Sequence, residues 1–201
     1  MTLLYLASQS PRRRQLLEQI GISPQLLLPS ADEDTEALEA EHKGELPAVY
    51  VQRVTRLKLR AAMARLRAQG LSAAPVLCAD TTVALGRRIL GKPRDAAEAA
   101  QTLRLLSGRT HRVLTAVAVH DGRRVHDALS CSHVRFAELP ESVIAAYVAS
   151  GDAFGKAGAY AIQSALAGWI AAIDGSHSGI MGLPLFETRQ LLRAARLILP
   201  V

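Results

Sequence analysis

Short apolar runs alternate along the chain with segments whose apolar positions recur every three or four residues, so strands and helices are interleaved from end to end. Residues 3–7 predict a buried strand. Ser10-Pro11 then opens a helix, with Ser at the N-cap and Pro in the first turn; Leu16, Leu17 and Ile20 form its apolar face and Gly21 ends it. Residues 25–28 predict a second strand and residues 29–46 an acidic loop. Pro47 starts a long amphipathic helix, with Val51, Val54, Leu57 and Ala61 at helical spacing, that stops near Gly70. Residues 75–79 predict a strand ending in Asp80, and residues 81–90 an extended hairpin around Gly86. Asp95-Ala-Ala-Glu98 is a capping-box pattern heading a helix to about Leu106. Residues 113–120 and 124–136 predict strands joined at Asp121-Gly122, and residues 140–149 a helix. Strands near 159–163 and 169–173 follow, and Pro184 opens a last helix through about Leu197. The sequence carries no repeat, low-complexity tract or heptad seam. The expected fold class is α/β, a mixed twisted sheet flanked by helices, in a single domain over residues 1–201 with two lobes around a central cleft.

Composition narrows the class. At 201 residues, 49% hydrophobic and 21% charged, the chain can bury a sizeable core and is not disordered throughout. No run of about 20 uncharged apolar residues occurs; the nearest, residues 157–173, is interrupted by Gln163 and Ser164, so no membrane span is expected. The segment MTLLYLASQSPRRR places its apolar stretch before its positive charges, the reverse of a secretory signal. Cys78 and Cys131 form neither a disulfide framework nor a metal knuckle, and a cytoplasmic location is the simplest expectation. The net charge of +6 points to an anionic partner. Of the 24 basic residues only Lys43, Lys58, Lys92 and Lys156 are lysine. So heavy an arginine bias reads first as codon usage, yet lysines in such a chain are pointers to places that need a compact ammonium.

Arg12, Arg13 and Arg14 fall in the first turn of a helix, where the backbone dipole disfavours cations. A bound phosphate resolves the conflict, with Ser8 adding a hydroxyl; a solvated arginine cluster is the plainer alternative. Asp80, at the end of an apolar strand, suits a general base or a metal ligand as well as a turn aspartate. Asp32-Glu33-Asp34 offers further oxygen ligands, or an exposed charged loop. Gly86 to Lys92 has the glycine and lysine spacing of a P-loop, but Pro93 stands where a magnesium-binding Ser or Thr belongs, so a P-loop is excluded and Lys92 would meet phosphate by another geometry. The glycine-rich residues 151–158, containing Lys156, read as a phosphate-touching loop or a turn. His111 and His177 lack ligand spacing and read as structural, and Trp169 as core. Ser176-His177-Ser178 has no nucleophile elbow, which argues against a serine hydrolase.

Together the segments Leu6-Ala-Ser-Gln-Ser-Pro-Arg-Arg13, Ala79-Asp-Thr81, Gly91-Lys-Pro-Arg-Asp95, Leu106-Ser-Gly108, Lys156-Ala-Gly-Ala-Tyr-Ala-Ile-Gln163 and Gly182-Leu-Pro-Leu-Phe-Glu-Thr188 resemble the Maf family of nucleoside triphosphate pyrophosphatases, in the family's order and over almost the whole chain. The resemblance implies a mixed α/β fold like that of the inosine triphosphate pyrophosphatases. It also implies hydrolysis of a nucleoside triphosphate to the monophosphate and pyrophosphate with a divalent cation (Mg, Mn or Co). Arg12, Thr81 and Gln163 match the branch that takes dTTP and UTP, where they would set substrate specificity. By the same resemblance Asp80 is the proton acceptor and a metal ligand, and Glu33 an acid near the metal. Arg13, Lys58 and Lys92 match phosphate-contacting positions; Ser8 and Lys156 join them as phosphate-binding candidates. The loop 29–46 is a few residues longer than the family commonly has.

Two other classes stay open. One is a nucleic-acid-binding or regulatory protein, since the charge is basic and Maf proteins are associated with inhibition of septum formation; against it, only 4% of residues are aromatic and no helix-turn-helix or RNP-like motif is present. The other is the same fold with a 7-methyl-GTP preference. The sequence is compatible with a homodimer.

Overall fold

The computed structural model describes residues 3–30, 33–34 and 37–197. Among them a seven-stranded mixed sheet forms from β1 (Tyr5–Leu6), β2 (Gln25–Leu26), β3 (Val76–Leu85), β4 (Arg88–Leu90), β5 (Thr110–His120), β6 (Val125–Phe136) and β7 (Ile170–Asp174). The order is β2-β1-β3-β5-β6-β7, with β4 folded back on β3. β1 runs parallel to β2 and β3, and the remaining pairings are antiparallel. β3 and β5 lie at the centre and are buried almost throughout, which is why they read as continuous apolar runs. β6 alternates buried and exposed positions along its second half, as a strand covered on one face does.

Helices cover both faces. The long α2 (Pro47–Ala68) packs on β3 and β5 through Val51, Val54, Leu59, Ala62 and Leu66, against Val76, Cys78, Leu114, Ala116 and Ala118. On the opposite face α1 (Pro11–Gln19) and α6 (Leu185–Ala194) bring Leu16, Leu17 and Leu192 onto Leu77, Ala79, Val117 and Val119. α3 (Ala96–Leu106) and α4 (Glu141–Ala149) enclose a third apolar cluster around Val83, Val113 and Phe136. A short α5 (His177–Met181) precedes α6.

Alternation along β3 sets up the site. Val76 and Cys78 face α2, whereas Leu77 and Ala79 face α1 and α6. Continuing that alternation, Asp80 points toward α2 and Thr81 toward α1.

Two expectations are corrected, and one element is added. Asp80 does not end a strand: the run from Thr81 continues as the same strand, paired residue for residue with β5 through Ala84. Residues 159–163 are not a strand; a 3-10 turn, Ala157–Ala159, is followed by irregular backbone, because Gly158 (φ +70°) and Ala159 (φ +60°) both take the left-handed conformation. The helix after Ser176 was not expected from its sequence. The α3 start holds: the Asp95 carboxylate accepts from the Glu98 amide at 2.8 Å, while the Glu98 carboxylate turns to the Arg94 amide at 3.0 Å.

Candidate active site

A cleft of about 500 Å3 opens between α1, α2, β3, the loop after β4 and the segment around 155–163. Ser8, Arg12, Arg13, Lys58, Asp80, Thr81, Lys92, Lys156 and Gln163 all line it, although they come from five separate stretches of sequence.

Asp80 meets Lys58 as the strand alternation requires: Lys58 Nζ on α2 lies 2.5 Å from Asp80 Oδ1. The same nitrogen lies 2.6 Å from Oε1 of Glu39, whose Oε2 accepts from Lys92 Nζ at 2.9 Å. One carboxylate thus bridges two ammoniums, and one ammonium bridges two carboxylates. Burial disfavours the charged form of Glu39, but Lys58 and Lys92 outweigh it and hold the carboxyl below its ordinary value. Burial likewise works against the Lys58 ammonium, yet Asp80 and Glu39 outweigh it and raise its pKa. The Tyr50 hydroxyl donates to the Glu39 carbonyl at 3.0 Å and ties the turn Ala37–Glu39 to α2.

On the other side of β3, Arg13 makes three hydrogen bonds. Its Nε donates to the Gly182 carbonyl at 2.8 Å, its Nη1 to Ser8 Oγ at 3.2 Å and its Nη2 to Thr81 Oγ1 at 3.4 Å. The Ser10 N-cap makes no side-chain bond of its own; the Ser8 hydroxyl accepts from the Ser10 amide instead, at 3.2 Å. Arg12 lines the cleft, whereas Arg14 pairs with Glu18 at 2.7 Å on the exposed face of α1, so the arginine triplet divides between two surfaces. Lys156 donates to the Asp152 carbonyl, and Gln163 is exposed at the cleft wall.

Glu33, the acid expected near a metal, is held by Arg65. Its carboxylate is forked onto Arg65, at 2.8 Å to Nε and 2.5 Å to Nη2, and it does not line the cleft. The hydrogen bonds from Arg65 hold its carboxyl below the ordinary value against the opposing effect of burial. Arg65 also donates to the Leu27 carbonyl at 2.8 Å, which anchors the start of the acidic loop to α2. The acid that reaches the cleft is Glu39. Asp32 lies outside the described residues. His111 is buried with Nε2 2.7 Å from the Tyr160 hydroxyl, and Tyr160 in turn lines the cleft. His177 heads α5 and Trp169 packs at the edge of the third apolar cluster.

Among the described residues no three acidic, histidine or cysteine side chains gather as a metal cluster. The pair Asp80 and Glu39, both against Lys58, nevertheless suits a hard divalent cation of the magnesium class, which takes one or two carboxylates and completes its shell with phosphate oxygens. No helix among the described residues is long and apolar enough to cross a membrane.

The chain is 64% identical over 194 residues to a protein of Polaromonas sp. named dTTP/UTP pyrophosphatase, covering 96% of each. It is 59% identical over 191 residues to one of the same name from Albidiferax ferrireducens, covering 95% of this chain and 96% of the relative. A HAM1 protein of Coxiella burnetii, solved structurally, aligns at 15% identity and a TM-score of 0.45 over 70% of this chain and 75% of that one. The family model described as Maf-like protein matches residues 3–195, and with curated relatives at this identity along nearly the full length, the chain belongs to the Maf-like protein family.

Proposed function

We propose that the chain hydrolyses dTTP and UTP to the nucleoside monophosphate and pyrophosphate. The observation that carries this reading is the Asp80 carboxylate, at the strand face of a cleft that also holds Arg12, Arg13, Lys58, Lys92 and Lys156. The shared name of the full-length relatives supports the substrate. The cations offset the charge of a triphosphate and orient it, and Asp80 takes the proton of the attacking water. Lys58 and Lys92 exchange their carboxylate partners for phosphate oxygens when the nucleotide binds. Asp80 and Glu39 are the residues that would hold a divalent cation, with Glu39 beside the lysines where Glu33 was expected; when bound, such an ion would supply Lewis-acid polarisation of phosphate and of a water. Thr81 and Gln163 face the pyrimidine edge. A cytoplasmic site of action fits the two unpaired cysteines, Cys78 and Cys131.

The test is Asp80→Asn, assayed for pyrophosphate release from dTTP and UTP with magnesium. Loss of the general base lowers kcat by roughly 10^2–10^4-fold with the fold intact by circular dichroism. Turnover near wild type in a folded variant overturns the assignment of the base.

A further inference from the structure

The hydroxyl of Thr81 lines the cleft, and its hydrogen is already committed. Thr115 stands directly opposite it in the β3–β5 register and is buried. Thr115 Oγ1 lies 2.7 Å from the Gly179 carbonyl oxygen and 2.9 Å from Thr81 Oγ1. A carbonyl only accepts, so the one hydroxyl hydrogen of Thr115 goes to Gly179. The Thr115 oxygen is therefore the acceptor in the threonine pair, and Thr81 donates to it. The other neighbour of Thr81 Oγ1 is Arg13 Nη2 at 3.4 Å, which only donates. Thr81 is left with one lone pair, and no hydrogen, to offer the cleft.

The Gly179 carbonyl is itself fixed. It also accepts from the Gly182 amide at 3.0 Å, and a Cβ on Gly179 would stand 3.1 Å from the Ser176 side chain and 3.3 Å from Ser130 Oγ, so the backbone there is pressed onto the sheet. The direction of the Thr81 hydrogen is thus set two hydrogen bonds away, by the backbone of α5.

We propose that Thr115 is a specificity-positioning residue: by holding Thr81 as a pure acceptor it selects a pyrimidine with an imide N3–H over one, such as cytosine, whose N3 is itself an acceptor. This rests on the nucleotide-hydrolysis reading above and deepens it. Phosphate oxygens accept only, so an acceptor-only hydroxyl has nothing to give them. The donors a pyrimidine nucleotide brings are its sugar hydroxyls, shared by uracil and cytosine nucleotides, the imide N3–H of uracil and thymine, and the 4-amino group of cytosine; at the N3 edge itself only the imide donates. Cytosine in this position sets two lone pairs against each other and leaves both unpaired.

The experiment compares kcat/KM for pyrophosphate release from UTP and CTP in wild type, Thr115→Val and Thr115→Ser. Valine keeps the shape but removes the acceptor and lets the Thr81 hydroxyl rotate; the UTP-to-CTP preference narrows by about tenfold or more. Serine keeps the hydroxyl and the wild-type ratio. If Thr115 only packs, valine lowers both substrates together and the ratio stands, which overturns the proposal. Should Thr115→Val not fold, N3-methyl-UTP on the unaltered protein decides: turnover equal to that of UTP overturns the proposal, and a loss of about tenfold or more upholds it. Wild-type protein that releases no pyrophosphate from UTP or dTTP refutes the hydrolysis reading and this inference with it. Hydrolysis with an unchanged ratio in folded Thr115→Val refutes this inference alone.

Discussion

Gly158 is a position where one added carbon meets both a strained backbone and a packed neighbour. Its φ of +70° lies in the left-handed region, and a Cβ built there would meet Val83 of the buried β3 at 2.8 Å to Cγ1 and 3.0 Å to Cβ and Cγ2. The neighbour is the branch point of a stiff side chain, not the end of a flexible one, so it cannot simply swing aside. The Gly158 amide also donates to the Gly91 carbonyl at 3.1 Å, which keeps the turn from shifting outward. Gly158→Ala therefore adds a backbone cost of about 1–2 kcal/mol to an overpacking cost of about 1–3 kcal/mol. The sum, about 2–5 kcal/mol, lowers Tm by roughly 5–15 °C for a chain this long. The assay is thermal and urea unfolding of wild type, Gly158→Ala, Val83→Ala and the double variant. Val83→Ala removes both methyl contacts and leaves only the 3.0 Å approach to Cβ, so in its background the glycine substitution retains the backbone part and a smaller overpacking part. Because Lys156, Tyr160 and Gln163 enter the cleft from the same turn, KM for the nucleotide rises in Gly158→Ala as well. Stability within about 0.5 kcal/mol of wild type, or no coupling between the two sites, refutes the reasoning.

Two further outcomes are expected. Glu39→Gln raises the magnesium concentration for half-maximal activity by about tenfold or more, in line with the loss of one ligand-shell carboxylate, whereas Glu33→Gln, away from the cleft, leaves it nearly unchanged; a reversed order returns the metal-facing role to Glu33. Burial lowers the His111 pKa from 6.5 to about 4, so below 6.5 the unfolded chain takes a proton that the folded one refuses. Stability is full above 6.5 and falls toward pH 4 by about 3 kcal/mol, at 1.36 kcal/mol per unit. His111→Gln, which cannot titrate and still offers a donor to the Tyr160 hydroxyl, flattens that part of the Tm-against-pH curve; an unchanged curve refutes the account.

What was legible in the sequence is what local chemistry decides. The helix beginning after Asp95 and the hairpin at Asp121-Gly122 were readable because capping and turn residues act on their immediate neighbours. The lysines at 58, 92 and 156 stood out against an arginine-rich background, and all three line the cleft. Other features depend on partners far along the chain. Ala159 to Gln163 reads as a short apolar strand, but Gly158, set against Val83 and bonded to the Gly91 carbonyl, and Ala159 both take the left-handed conformation and break it. The acidic loop offers many carboxylates of the same kind. Arg65, 32 residues after Glu33, captures that one, and Lys58 and Lys92 capture Glu39; no local pattern distinguishes them. Thr115 looks like an ordinary strand threonine until its partner across β3 is known.

The Glu39 bridge has a consequence for how ligands come and go. Lys58 and Lys92 already hold an internal counter-ion and do not present bare positive charge to passing anions; a phosphate reaches these two only by a swap of partners. On the proposed reading, a triphosphate contacts enough cations at once to win that swap. A monophosphate, with fewer anionic oxygens to offer, does not, so Glu39 returns to Lys58 and Lys92 as the nucleoside product departs, and the cleft resets itself for the next turnover.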